Sequence, residues 1–544
     1  MIQMSNRLGM IALLVALVAP MAPVAAAEAK TPPLLVRLAS IETLTRQFFL
    51  LADKVNRKAE AEQLKNALQS VTGPGGIQGF DPSKPIGIYG SIGPNGLDST
   101  GVILVPASDE TAMLAALKKL AGVIGGNLVE AKGKGLHTLN LDQSPFPIFL
   151  RFTKGYCWAT LKDEAPLADS ALPDPAKLLQ APAGSVARLH FDLAAVPENL
   201  RITAVEALKQ SIAMAREKAP ADETPAAKTF RLQMSDMMEG GMIQFLKEGG
   251  ALDLEMGLDE KTEDLRLEAR METIENSSLG KAMEAMGSGP SIGRAVAGYG
   301  KTLSLSSYVM LPPDLRKAFV GVLEEGFAKA KNSDAGDSEK KMIAEVIDAI
   351  MPTLKSGVFD SGVALIPSKK EGLHTAALAF RVKDGAKVEG VIRAAVKQLG
   401  EKLEGKLKLD VATYAGVKVH EISGNDSKAR EMLGDGPAFL AVRNDMVLIT
   451  AGPEALALLK DMASVAPVTG SMMQAELGLA SIVKLGDSNV PKELVRKASA
   501  KAFGDKSGID RARIEVTSGK GIGLKVTANL AILEFLTMLD PNQR

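Results

Sequence analysis

Four histidines occur in 544 residues, and two of them share one tetrapeptide, Gly135-Leu136-His137-Thr138 and Gly372-Leu373-His374-Thr375. Imidazole suits proton transfer near neutral pH and metal ligation, so the recurrence raises the question of a repeated site. The spacing argues against a metal: the four histidines are far apart, and no His-Glu-x-x-His is present. Among nucleophiles, Ser278-Leu279-Gly280-Lys281 fits Ser-x-x-Lys, but its usual companions Ser-Asp-Asn and Lys-Thr-Gly are missing. The single cysteine, Cys157, lies in the apolar run Tyr156-Cys157-Trp158-Ala159 and reads as a buried, inert thiol. Asp259, Glu260, Glu263 and Asp264 could bind Ca²⁺ or act as acid and base. Lys261 sits among them, so a solvated hairpin turn is the stronger reading. Ala295–Thr302 ends like a phosphate-binding loop, yet Ala295 stands where that loop needs Gly and a strand-like stretch follows where a helix is required.

One segment stands out by composition. Met234, Met237, Met238 and Met242 fall at helical spacings, and Phe245 continues their apolar face. The plain reading is an amphipathic helix packed on its own sheet. Two functional readings sit beside it: a pliable apolar surface for a hydrophobic ligand or protein partner, and thioether ligation of Cu(I). Gly240-Gly241 is expected to interrupt this helix, which weakens a rigid metal site. No cofactor or metal is expected.

The elements that would position these residues recur. PIFLRFTKGYCWAT at 147–160 matches PAFLAVRNDMVLIT at 437–450 without a gap, as two short strands about a polar turn. The match extends upstream, pairing residues 99–122 with 374–400 and 84–90 with 360–367. Downstream it pairs 184–196 with 470–482 and 251–270 with 512–528. PPLLVRLASIETL at 32–44 is set against PPDLRKAFVGVL at 312–323, with Pro at a helix entry in both. The expectation is α+β: two tandem copies of one unit, with antiparallel sheets carrying helices on one face. The first unit spans 28–287, with an insertion at about 199–249, and the second spans 288–544. In this register the slot of His137 holds Lys418 and the slot of His374 holds Asp98. The two tetrapeptides then read as exposed strand starts, with Gly allowing the turn.

Residues 1–27 carry a positive Arg7, an apolar stretch from Leu8 to Val18 and a small-residue cleavage site at Ala25-Ala26-Ala27, which read as a secretory signal peptide. The mature chain is therefore expected to be exported, to periplasm or beyond, with no transmembrane segment. Lys plus Arg equals Asp plus Glu at 64 each, and aromatics are only 4%. Nucleic acid and stacked-sugar partners have no support in that composition. The export signal, the Met- and Ala-rich low-aromatic composition and hairpin strands such as FDPSKPIGIYG at 80–90 resemble uncharacterised large secreted bacterial proteins of planctomycete type. That resemblance is one of overall pattern and implies no functional residue. The function expected is an exported, non-catalytic binding or envelope-associated module with a cleft or sheet surface for an apolar ligand or protein partner. The alternatives are a hydrolase whose residues are scattered in sequence, or an envelope scaffold.

Overall fold

Strand β3, Thr100–Pro106, shows how the sequence builds this fold. Val102, Ile103, Leu104 and Val105 are apolar without alternation, the pattern of a strand buried on both faces. Its neighbours supply both covers. In the computed structural model, residues 31–539 are described apart from 73–75, 97, 132–134, 217–224, 288, 332–336, 371, 404–405, 425–426, 481–490, 505 and 507. Residues 1–27, read from the sequence as a signal peptide, lie outside the described residues.

The chain forms two compact units; among the described residues one holds ten strands, β1–β10, and the other ten, β11–β20. The first runs β1 Leu34–Leu38, α1 Ile41–Lys54, α2 Lys58–Thr72, β2 Ile86–Ser91, β3, α3 Glu110–Val123, β4 Gly126–Ala131 and β5 Leu136–Leu141. Then come β6 Ile148–Thr153, β7 Tyr156–Leu161, α4 Pro175–Leu178, β8 Ser185–Asp192, α5 Glu198–Arg216, α6 Pro225–Glu248, of which only the residues from Met242 on group with this unit, β9 Gly249–Asp259 and β10 Asp264–Thr273. The second begins with α7 Ser278–Gly287 and α8 Ile292–Ala297, then β11 Leu303–Met310, α9 Pro313–Lys331, α10 Asp337–Ser356, β12 Val358–Pro367, β13 His374–Arg381 and α11 Gly385–Leu403. It continues β14 Leu407–Tyr414, β15 Val417–Ile422, α12 Ser427–Leu433, β16 Ala438–Val442, β17 Met446–Ala451, α13 Ala455–Ala463, β18 Met473–Gly478, α14 Lys492–Ala502, β19 Arg511–Ser518, β20 Gly521–Asn529 and α15 Leu530–Leu539.

Every pairing within each sheet is antiparallel. The first sheet runs β4-β5-β6-β7-β3-β2-β1-β8-β9-β10. The second runs β14-β15-β16-β17-β13-β12-β11-β18-β19-β20, the same order.

Around β3, β6 and β7 of the first sheet and β13, β16 and β17 of the second, both faces are covered, not one face as the sequence pattern suggested. In the first unit Leu104 and Trp158 pack against Leu167, Leu172 and Leu179, while Leu150 and Cys157 on the other face pack against Met113 and Leu117 of α3. In the second, Ala377, Ala379 and Leu448 pack against Ile292 and Val296 of α8, while Leu440 and Val447 pack against Val388 and Ile392 of α11. The pairing of residues 32–44 with a helix entry also fails. Leu34–Leu38 is a strand held between β2 and β8, and the helix starts only at Ile41, where the Ser40 side chain accepts from the Thr43 N–H. Pairing on both edges overrides the local Pro signal.

Candidate functional site

Met234, Met237, Met238, Met242 and Phe245 all lie on α6, which runs unbroken through Gly240 and Gly241. A Cβ at either glycine would meet nothing within 4 Å, so neither interrupts the helix and no close approach requires them. The side chains of Met234, Met237 and Met238 lie outside the described residues. Met242 is exposed and Phe245 is half-buried, its ring against Gly249.

A broader apolar surface lies on the sheets. In the first unit Val36, Leu189, Leu254 and Ala269 form one cross-strand row over β1, β8, β9 and β10. The adjacent row is Leu38, Ala187, Met256 and Leu267. Strand alternation puts charged rows on the opposite face: Arg37, Arg188, Glu255 and Glu268 stand in one, and His190, Asp253 and Arg270 in the next. The charged face is closed by ion pairs such as Arg266–Glu255 at 3.1 Å and Arg188–Asp253 at 3.4 Å. The apolar face is open: Leu254, Met256 and Leu267 are 37%, 42% and 45% exposed. The second unit repeats the arrangement. Leu305, Ala475, Ile514 and Val526 form the corresponding row, with Leu305 and Ile514 exposed, and Ser304, Glu476, Arg513 and Thr527 lie on the reverse. Phe535 and Ile532 of α15 pack near Ala512 and Ala528 and cover one end of that face.

The histidines resolve differently from the sequence register. On the ladder His137 faces Leu150 and His420 faces Leu440, and Leu150 and Leu440 are matched residues of the two strand pairs. The slot of His137 therefore holds His420, not Lys418. His420 stands four residues after Gly416 whereas His137 stands two after Gly135, so counting from the turn misplaces the match; opposite His420, β14 bulges between Lys408 and Ala412. Gly135, Gly416, Gly96 and Gly372 do take left-handed φ of 58°, 79°, 68° and 77°, so the turn role assigned to them holds. His137 is buried rather than exposed.

Both buried imidazoles reach a glutamate on the helix that crosses their sheet. His137 Nε2 lies 3.4 Å from Glu110 at the start of α3. His420 is fully buried; its Nε2 lies 3.0 Å from both oxygens of Glu389 on α11, and its Nδ1 accepts the Asp410 backbone N–H at 3.1 Å. Accepting at Nδ1 places the proton on Nε2, so both nitrogens are committed and neither can act as a base. Asp410 carries φ of 57° in the bulge. Glu389, Asp410 and His420 bring ligand atoms within 4.8 Å of one another, a spacing that suits a metal ion. Arg393 already holds both carboxylates, at 2.6 Å to Glu389 and 2.6 Å to Asp410. The hydrogen bond from Arg393 keeps the Asp410 carboxyl below its ordinary range. The cluster is a closed charge network.

His190 Nδ1 lies 3.0 Å from Asp253, the orientation of a catalytic dyad, but no Ser, Thr or Cys is bonded to its Nε2 among the described residues. Gly289-Pro290-Ser291-Ile292-Gly293 has the Gly-x-Ser-x-Gly spacing of a nucleophile elbow. The structure makes Ser291 a helix cap instead. It is fully buried, with extended φ and ψ; its Oγ donates to Asp360 at 2.5 Å and accepts the Arg294 N–H at 2.8 Å. Burial pushes the Cys157 thiol up to about 12, which leaves no thiolate at neutral pH. Lys281 of the Ser-x-x-Lys stretch is exposed. After Ala297 the chain turns into strand β11, and the Lys301 and Thr302 N–H groups donate to the Leu365 carbonyl, not outward to a phosphate. The acidic group is the β9–β10 turn: Asp259 accepts from the Lys261 and Thr262 N–H groups, Glu260 pairs with Arg46 and Glu263 with Lys54. No helix among the described residues is long and apolar enough to cross a membrane. Set beside known family models, curated proteins and solved structures, the chain matches none.

Proposed function

We propose that the chain is an exported, non-catalytic binding protein made of two copies of one α+β unit, and that its ligand is apolar and lies on the open sheet faces. The exposed apolar rows of Leu254, Met256 and Leu267 on the first sheet, and of Leu305 and Ile514 on the second, carry this reading. Contiguous exposed apolar surface of this kind marks interaction sites. Three features support descent of the units from one ancestor: the common strand order, the His137/His420 match, and the buried Thr160 and Thr450 at equivalent ladder positions. The charged reverse faces explain why the apolar rows are left for a ligand: each sheet half has only one face on which apolar surface could be covered.

The test is uptake of a fluorescent C16 fatty acid by the mature protein, with native mass spectrometry of material exported by its own host. A co-purifying lipid is expected. Leu254→Glu and Ile514→Glu should each weaken uptake by about tenfold, the loss of roughly 1.4 kcal/mol, with unchanged circular dichroism. A clean apo mass together with no uptake at micromolar protein sinks the reading.

A further inference from the structure

The first unit contains an open cleft of about 540 Å³ between the start of α1, residues 181–185 and the β9–β10 turn. Its walls carry two polar side chains that the protein leaves incompletely bonded. Gln47 is 3% exposed; its Nε2 donates to the Leu258 carbonyl at 3.2 Å, which fixes the amide orientation, and its Oε1 has no partner among the described residues. Ser185 is 4% exposed, and its Oγ has none either. A buried donor or acceptor left unmatched costs about 1–3 kcal/mol, so two beside one cleft call for an explanation. Arg37 lies beside them. Its Nε and Nη1 donate to the Leu179 and Ser185 carbonyls at 2.8 and 3.1 Å, and it makes no ion pair among the described residues. Burial lowers its pKa, so its charge is poorly solvated.

The second unit shows the same place filled. Ser471 matches Ser185 in the aligned runs 184–196 and 470–482, and its Oγ donates to Glu515. There the guanidinium belongs to Arg294 of α8, which donates to the Ser471 carbonyl at 2.7 Å and to those of Gly289, Val468 and Gly287. The second unit satisfies its serine and guanidinium with its own chain, and the first leaves Gln47 Oε1 and Ser185 Oγ unmatched in the wall of a cleft.

We propose that this cleft binds a small hydroxylated monocarboxylic acid. The carboxylate sits toward Arg37, and a hydroxyl donates to Gln47 Oε1 while accepting from Ser185 Oγ. Arg37, Arg46 and Lys261 against Asp259 and Glu260 leave one net positive charge on the lining, which suits a monoanion better than a phosphate dianion. A hydroxyl is the group that answers an acceptor and an amphoteric oxygen together. This site is separate from the apolar faces.

Calorimetric titration of the mature protein with L-lactate and D-gluconate tests it, with propionate, propane-1,2-diol and D-glucitol as controls lacking the hydroxyl or the carboxylate. At least one hydroxy acid should bind with a millimolar or tighter Kd, about tenfold tighter than its controls. Ser185→Ala and Gln47→Leu should each weaken it by about tenfold. Ser185→Ala should leave Tm unchanged or raised, because it removes an unmatched hydroxyl. Fatty-acid uptake should be unaffected, which separates failure here from failure of the apolar-face reading. The proposal is overturned if neither hydroxy acid binds, if the controls bind equally, or if both variants bind like the parent, the result expected when ordered water alone satisfies the two groups.

Discussion

His420 and His137 occupy one ladder position in two settings, and the difference sets what each contributes. His420 is fully buried and bonded at both nitrogens, to Glu389 and to the Asp410 N–H. Deleting its ring leaves a half-buried carboxylate and a backbone donor in the bulge without their partner. His137 makes one longer contact, at 3.4 Å, to a Glu110 side chain that is half exposed and can turn to water. His420→Ala should therefore cost about 3 kcal/mol and His137→Ala about 1 kcal/mol, since the penalty for an orphaned polar group scales with its burial. Urea denaturation of the two variants gives the comparison. Equal costs would mean that ring volume, not the hydrogen bonds, sets the contribution.

At the scale of elements, the units differ in what covers the face of β2, β3 and β7. The first fills it with large side chains, among them Tyr89, Leu104 and Trp158, under a cover that includes Leu179. The second has Ala364, Ala379 and Leu448 at the matching positions, which lets helix α8 come down onto the backbone. Gly87 and Gly362 are ladder equivalents, and they report the difference. A Cβ on Gly362 would stand 1.9 Å from the Gly293 carbonyl oxygen, whereas the nearest atoms to one on Gly87 belong to the Leu179 side chain, with Cδ2 at 2.4 Å. Backbone cannot step aside and a leucine tip can. Gly362→Ala should destabilise by about 3 kcal/mol and Gly87→Ala by about 1 kcal/mol, read from Tm shifts of the single variants; a Gly87→Ala cost as large as that of Gly362→Ala would refute the distinction. The alternating runs and tight turns made the strand pairs legible in sequence, and the gapless match of 147–160 with 437–450 located the corresponding β6–β7 and β16–β17 hairpins. Helix α8 was not legible as a sheet cover, because its six residues and flanking glycines look like a loop. The His137/His420 match was hidden because β15 runs two residues further from its turn glycine to the histidine than β5 does, so counting from the turn misaligns the two strands. The apolar faces were hidden for another reason: alternation shows that one side of a strand is apolar but not whether anything covers it.

For the whole molecule, the balance of 64 cationic and 64 anionic side chains makes the carboxylates decisive on the acid side. Several are held below their ordinary range in the folded chain. Thr375, Ser368 and the Lys369 N–H hold Glu454 down; burial pushes Glu476 up, but Arg513 and Arg511 outweigh it; Arg393 holds Asp410. A carboxyl with a lowered folded pKa contributes stability that is fully present above its unfolded value, ordinarily 3.8 for Asp and 4.5 for Glu. That contribution is lost as pH falls through the folded value. As those protons bind, the cations lose their counter-charges and self-repulsion adds to the loss. These groups should leave Tm insensitive to pH between about 5.5 and 7 and make it fall steeply below about pH 4. Glu454→Gln removes one of the titrating groups, so its Tm should be lower than the parent's at pH 7 and should converge on it as the pH approaches 3. A gap that stays constant across that range would show that Glu454 acts through packing and not through its charge.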